Sequence, residues 1–131
     1  MKLNFKMSEL IHSDRAAQEK INNMPDINSL DCMLELIVNC LQPIRDLINK
    51  PMIINSGYRC KLLNEKVGGK DKSQHMKGQA VDFKIEGMKP AEIVSIIKES
   101  GIEFDQLINE YDSWVHVSYC KGKNRRQVLK Y

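Results

Sequence analysis

Apolar residues in the first half of the chain recur with the spacing of amphipathic helices. The longest such pattern predicts a helix that begins at Ser29 and carries an apolar stripe for core packing, made of Leu30, Met33, Leu34, Ile37, Val38, Leu41, Ile44, Leu47 and Ile48. Pro43 lies inside this helix and lacks the N–H that would bond the Asn39 carbonyl. We therefore expect a kink there.

Shorter helices are predicted where weaker apolar patterns lie between stop signals. One is capped by Ser13 or Asp14 and runs through Ile21, before a polar stretch that contains Pro25. Two more are predicted from the glycine and proline signals that bound them, at residues 59–67 and 89–101.

Strand-like runs dominate the rest of the chain. They are short and rich in β-branched or aromatic residues, at residues 51–55, 79–85, 104–110, 114–119 and 126–129. The first of them reads as a buried strand. The runs 104–110 and 114–119 are separated by Tyr111-Asp112-Ser113, which predicts a β-hairpin. Helices first and a small, mostly antiparallel sheet later predict a single α+β domain over residues 1–131.

Composition and charge exclude several classes of protein. A chain of 131 residues with 42% hydrophobic and 28% charged residues is typical of one globular domain. The net charge of +3, an aromatic content of 6% and the lack of a matching motif argue against a nucleic-acid partner. The last eleven residues are rich in lysine and arginine, and we interpret them as a solvated tail. We also expect a monomer.

The redox state and compartment follow from the cysteines and the N-terminus. The four cysteines show no CxxC pair and no spacing of a disulfide framework, which predicts reduced thiols. No apolar run approaches the ~20 residues of a membrane span, and the first residues lack the apolar segment of a secretory signal. We therefore expect a protein made in the cytoplasm without a visible signal peptide and without membrane insertion.

Two of the three histidines and one aspartate are candidate metal ligands. His75 lies in the loop of the stretch 73–83, and Asp82 lies in the strand that ends this stretch. Alternation along the strand 114–119 points His116 away from the apolar face. Two imidazoles and one carboxylate form a ligand set that zinc uses in catalytic sites. The spacing alone leaves a metal site and an ordinary polar loop equally open.

These residues belong to a longer pattern that resembles a known family. Ser73-x-His75-x-x-Gly78-x-Ala80-x-Asp82, preceded by Ser56-Gly57-Tyr58-Arg59 and followed by Trp114-Val115-His116, is similar to the zinc D-Ala-D-Ala carboxypeptidases, whose family includes phage endolysin peptidases. The resemblance is closest to the small single-domain branch. Further positions fit it as well: Asn64, Gly68, Gly69, residues 104–108 and Arg125.

The resemblance implies a hedgehog/D-Ala-D-Ala peptidase-like fold and a Zn²⁺ ion held by His75, Asp82 and His116. It also implies that Arg59 lies in the cleft, where a guanidinium can bind a substrate carboxylate or stabilise an oxyanion. Arg59 could instead hold its own turn. Ser73 could bind the substrate or cap the loop.

The general base is less clear from the pattern. Many relatives carry an acidic residue or a histidine three positions before the last zinc histidine, and this chain has Ser113 there. The nearest carboxylates are Glu110 and Asp112. Asp112 is more simply a turn former.

The hairpin register decides whether Glu110 faces His116. A three-residue loop 112–114 would place Glu110 opposite His116, whereas a two-residue loop 112–113 would place Asn109 there and turn Glu110 away. The small branch of the family carries glutamate at this position. Glu110 is therefore predicted as the base, with Asp112 as the reserve.

The leading hypothesis is a zinc metallopeptidase that hydrolyses peptide bonds in bacterial peptidoglycan stem peptides, as a carboxypeptidase or an endolysin-type endopeptidase. It would act on the cell wall if it is a phage-type enzyme, and otherwise in the cytoplasm. The alternative is a non-catalytic, zinc-containing module that binds wall peptides. Ser113, in the position before His116 where relatives carry an acid, is the feature that favours the alternative.

Overall fold

The computed structural model describes residues 2–131, which form helices packed against a five-stranded mixed sheet. The helices are Met7–Ile11 (α1), Asp14–Gln18 (α2), Ile27–Leu36 (α3), Gln42–Ile48 (α4), Lys61–Lys66 (α5) and Pro90–Lys98 (α6). The strands are Ile53–Ser56 (β1), Ala80–Lys84 (β2), Gln106–Glu110 (β3), Trp114–Ser118 (β4) and Gln127–Lys130 (β5). The predicted α+β class is confirmed.

The long helix begins earlier than its apolar stripe. Asp26 is its N-cap and accepts a hydrogen bond from the Ser29 backbone N–H at 2.7 Å, so Ser29 lies inside the first turn. The helix continues past Pro43, because a π-helical turn at Ile37–Leu41 joins α3 to α4. In that turn the Gln42 N–H donates to the Ile37 carbonyl, five residues earlier. The helix therefore accommodates the proline by changing its hydrogen-bond pattern locally.

The strands lie in the order β1-β2-β4-β3-β5. All neighbouring pairs are antiparallel except β3 and β5, which run parallel, so the sheet is mostly antiparallel as predicted. The first strand is not buried as expected. It lies at the edge of the sheet, where Ile53 is 51% exposed.

The two faces of the sheet differ in chemistry. One face is largely apolar, and it joins the helices in the core through the buried residues Val81, Phe83, Leu107, Val115 and Val117. The opposite face carries the polar residues of the same strands, because successive side chains point to opposite sides. The polar face is where the candidate ligands lie.

All four cysteines are free thiols, and burial raises the pKa of Cys40 to about 12. Within residues 2–131, none of the helices has the length and hydropathy needed to cross a membrane.

Candidate metal centre

Asp82 and His116 face each other across two neighbouring strands. They are directly paired in the β2–β4 register, and Ile108 of β3 continues the same row. The His116 Nδ1 atom lies 2.9 Å from Asp82 Oδ1. Both side chains point away from the core because the residues that flank them are buried and apolar.

His75 reaches the same point from a short 3₁₀ helix, Gln74–Lys77. Its Nδ1 lies 2.8 Å from the Gly57 carbonyl oxygen, which can only accept, so this nitrogen carries the proton. The lone pair of Nε2 is therefore free for a metal, and Nε2 lies 3.5 Å from Asp82 Oδ2.

Gly78 ends the 3₁₀ helix and fixes its place against α3. Its φ of +72° is in the left-handed region, and a Cβ atom there would clash with the Ser29 carbonyl oxygen. Glycine therefore serves both the turn and the close packing of the His75 loop on the helix.

The three side chains form a suitable set for a metal ion. One candidate ligand atom each from His75, Asp82 and His116 lies within 4.8 Å of the others. The set combines two imidazoles with one carboxylate, and zinc bound by three such ligands keeps a fourth position open. The chemistry of these donors fits Zn²⁺, which the resemblance implied.

The charge state of Asp82 also suits a cation. Burial alone would raise the pKa of this carboxyl group, but hydrogen bonds and charge interactions with His116 and His75 outweigh it and hold the pKa well below its ordinary value. Asp82 is therefore ionised at neutral pH.

The candidate ligands open into a cavity of about 510 Å³. Its lining includes the other predicted site residues Glu110, Arg59 and Ser73. A cavity of this size is in the range of small-ligand sites and can hold several residues of an extended peptide.

Glu110 faces the cavity, but not through either of the registers considered above. The loop is Tyr111-Asp112-Ser113, so Glu110 pairs with Trp114, and Ile108, not Glu110, pairs with His116. The hairpin turn predicted at residues 111–113 is confirmed, whereas both registers considered for Glu110, with loops 112–114 and 112–113, were wrong. Glu110 nevertheless shares the face of His116, because the correct register differs from the predicted three-residue loop by two positions, which leaves the face unchanged.

The turn itself explains the error. Tyr111 and Asp112 both have left-handed backbone, with φ of 56° and 53°, which is uncommon for a tyrosine. The buried Asn109 side chain stabilises the turn, donating to Asp112 Oδ1 at 2.9 Å and accepting from the Asp112 N–H at 3.0 Å. Asp112 is therefore a turn residue outside the cavity, as its simpler interpretation predicted.

The environment of Glu110 changes its acidity. Burial raises the pKa of this carboxyl group, His116 and Lys70 oppose that shift, and the negative charge of Asp82 adds to it. A carboxylate with a raised pKa is a stronger base than an ordinary glutamate, which suits Glu110 to accept and return a proton beside a candidate metal centre.

Arg59 and Ser73 lie together at the wall of the cavity. The backbone N–H of Arg59 donates to the His75 carbonyl at 3.0 Å, and the Nη2 atom of Arg59 lies 3.4 Å from Ser73 Oγ. Ser73 also caps the 3₁₀ helix by accepting from the His75 N–H at 3.2 Å. The buried Nε of Arg59 has no hydrogen-bond partner in the part of the chain that the structure describes. This guanidinium therefore has unused donor capacity beside the candidate metal centre.

Asn23 was not predicted from the sequence, although it connects the segments that support the site. Its side chain donates to the carbonyls of Ile11 and Tyr58 and accepts from the Cys60 N–H at 2.7 Å. These bonds hold the segment 57–60, which carries both the Gly57 carbonyl and Arg59. Asn23 stands next to a proline-containing break, and nothing in that pattern distinguishes it from an ordinary loop asparagine.

One comparison with known proteins agrees with this geometry. A fold with a His/Asp/His centre on the polar face of a mixed sheet defines a candidate metallohydrolase. The family model described as Peptidase M15 matches residues 3–118, and the chain therefore belongs to the peptidase M15 family. The predicted family is confirmed, and membership supports a peptidase that acts on a peptide substrate. A search of curated proteins found no match.

Proposed function

We propose that this protein is a zinc-dependent peptidase of bacterial peptidoglycan stem peptides, acting as a D-Ala-D-Ala carboxypeptidase or as an endolysin-type endopeptidase. The observation that carries the proposal is the convergence of His75, Asp82 and His116 at a cavity that Glu110 also lines. Family membership supports the peptidase class. The stem peptide as substrate is the proposal's own step.

His75, Asp82 and His116 would hold the zinc ion. The hydrogen bond from His75 Nδ1 to the Gly57 carbonyl keeps the imidazole in the tautomer whose Nε2 lone pair is free to bind the metal. When bound, zinc would polarise the scissile carbonyl and lower the pKa of water in the open position.

Glu110 acts as the general base in this proposal. It takes a proton from the attacking water and passes it to the leaving amine, so that the peptide bond is replaced by a carboxylate and a free amine. Its raised pKa and its position on the face of His116 support this role over Asp112.

Arg59 has a role at the reacting carbonyl or at a substrate carboxylate next to it. Its charge interaction with Asp82 and its unpartnered buried Nε support a position close to the centre. A guanidinium there can stabilise negative charge that develops on the carbonyl oxygen. Ser73 orients both Arg59 and the His75 loop, and its hydroxyl remains available to the substrate.

A digest of purified peptidoglycan, analysed by mass spectrometry for new amine ends, tests the proposal. The zinc-loaded protein should release products whose masses identify the bond that is cut, and His75→Ala should release none. His12→Ala is the matched control, because the His12 side chain is exposed and bonds only Asp14 among the described residues.

Two results would count against the proposal. Full activity in metal-free His75→Ala would exclude zinc hydrolysis at this site. Retention of wall peptides without any cleavage would favour the non-catalytic binding module instead. We further propose a monomer that is made in the cytoplasm and acts on the cell wall.

A further inference from the structure

We propose that Arg125 forms a second anion-binding subsite in this cavity, which binds a substrate carboxylate at a distance from the scissile bond. The inference rests on the proposed peptidase function and adds a specificity-determining residue to it. Arg125 lies at the end of the cavity that belongs to the β3–β5 side of the sheet.

The Arg125 guanidinium is held in a fixed orientation. Its Nε donates to Asp105 Oδ1 at 2.8 Å and its Nη2 to Asp105 Oδ2 at 2.9 Å, while its backbone N–H bonds the same carboxylate at 3.0 Å. Asp105 is buried, with 3% exposure, so this bidentate contact is anchored in the protein interior.

The other half of Arg125 remains accessible. The contacts with Asp105 use Nε and Nη2 and do not engage Nη1, and the Arg125 side chain, which lines the cavity, is 58% exposed. An arginine oriented by a buried carboxylate loses little further freedom when it binds an anion. The arrangement is therefore organised for a ligand before the ligand arrives.

The same carboxylate connects Arg125 to the metal-binding loop. Gln74 Nε2 donates to Asp105 Oδ2 at 2.9 Å, and Gln74 directly precedes His75. Asp105 therefore holds the anion-binding group and the start of the 3₁₀ helix in one network. This network fixes the position of Arg125 relative to the candidate metal centre.

The cavity is lined by both positively and negatively charged side chains. Arg59 interacts with Asp82 and Lys70 with Glu110, so both cations next to the centre are partly balanced by carboxylates that also line the cavity. Asp105 likewise balances the charge of Arg125, and Lys72 adds a further positive charge to the same lining. An anionic substrate group fits this part of the cavity.

The sheet order and the strand register give the distance from the centre. β5 lies two strands away from β4, about 10 Å at the usual strand spacing, and Arg125 precedes by four residues the Leu129 position that is level with Ile108 and His116, about 13 Å along the strand. The combined backbone separation is about 16 Å, which an extended peptide covers with about five residues. Arg125 therefore recognises a carboxylate several residues away from the bond that is cut, whereas Arg59 lies at the bond itself.

The test uses pairs of synthetic stem peptides that differ in one carboxylate. One pair carries D-isoglutamate or D-isoglutamine at the second residue, and the other pair has a free or an amidated C-terminus. The zinc-loaded protein is compared with Arg125→Gln and Arg125→Lys. Lys123→Gln is the control, since it removes a charge from the same segment at an exposed position outside the cavity lining.

The readout is the ratio of kcat/KM for the acid and the amide peptide, measured on one preparation. This ratio is independent of the folded fraction, so a loss of stability in the variants does not affect it. The unmodified protein should prefer one acid over its amide by about 10- to 100-fold, mainly through KM, as expected for a charged hydrogen bond. Arg125→Gln should remove the preference, Arg125→Lys should keep part of it, and Lys123→Gln should leave it intact.

The possible failures are distinguishable. Equal cleavage of acids and amides by the unmodified protein, or an unchanged preference in Arg125→Gln, would overturn the role of Arg125 and leave the peptidase proposal standing. Absence of cleavage of all four peptides would overturn the proposed function and the subsite together.

Discussion

Replacing Glu110 with glutamine tests the role of the proposed base without changing the other residues of the cavity. The glutamine keeps the size of the side chain but cannot accept a proton from water. A positioned base contributes about 10²- to 10⁴-fold to a rate, which corresponds to about 2.7–5.5 kcal/mol of activation free energy. We expect kcat at neutral pH to fall by a factor in that range.

The substitution should leave the fold and the metal site intact. Because Glu110 has a raised pKa in the folded state, its ionised form opposes folding at pH values above its ordinary pKa, and removal of the charge relieves this effect. The lost attraction to Lys70 is that of a partly exposed pair and is worth no more than about 1 kcal/mol. The thermal midpoint should therefore stay close to that of the unmodified protein.

The assay measures kcat on a stem peptide together with the zinc content of each variant. Asp112→Asn is the matched control, because it makes the same chemical change on the exposed turn, two residues away. The assignment would be refuted if Glu110→Gln kept kcat within about 3-fold of the unmodified protein at equal zinc content, or if Asp112→Asn lost as much.

Two further predictions concern the support of the site. Gly78→Ala should lower the free energy of unfolding by more than about 2 kcal/mol, because it adds a clash with the Ser29 carbonyl to a left-handed φ. Gly87 has a φ of +80° with open space around it, so Gly87→Ala should lower the free energy of unfolding by only about 1 kcal/mol. Urea denaturation measures both values, and equal losses of stability would contradict the packing argument. The pKa of Asp105 is lowered, chiefly by its hydrogen bond from Arg125, so its contribution to stability is present above its unfolded pKa of about 3.9 and is lost as the pH falls through the folded value. Asp105→Asn should therefore lower the thermal midpoint at neutral pH and make it fall less steeply as the pH drops below about 5. A variant whose midpoint falls as steeply in acid as that of the unmodified protein would argue against this pair.

The faces of the strands could be predicted from the sequence, because they depend only on alternation. Val115 and Val117 are apolar and His116 between them is polar, so one period-2 pattern determines which side faces the core. For the same reason the face of Glu110 was correct in the three-residue register, even though the register was not.

The register itself depends on interactions that no local pattern carries. The turn combines two left-handed residues, one of them Tyr111, with a side-chain bond from the buried Asn109 to Asp112. Neither glycine nor an Asn-Gly pair marks this turn, so the usual turn rules located the hairpin but did not determine which residues pair across it.

The hydrogen-bond network around Arg125 could not be predicted from the sequence either. The family resemblance included both Arg125 and Asp105 without a role for either. Their contact joins positions 20 residues apart, and the bond from Gln74 to Asp105 joins positions 31 residues apart. Such contacts depend on the strand order, in which β5 pairs in parallel with β3 after a connection that the sequence does not specify.

The most direct test of the central claim is a zinc titration of the metal-free protein, followed by release of new amine ends from peptidoglycan. If His75, Asp82 and His116 form the catalytic centre, activity should rise linearly up to one zinc ion per chain and then stop rising. Cleavage by the metal-free protein, or no cleavage at one zinc ion per chain, would contradict the account.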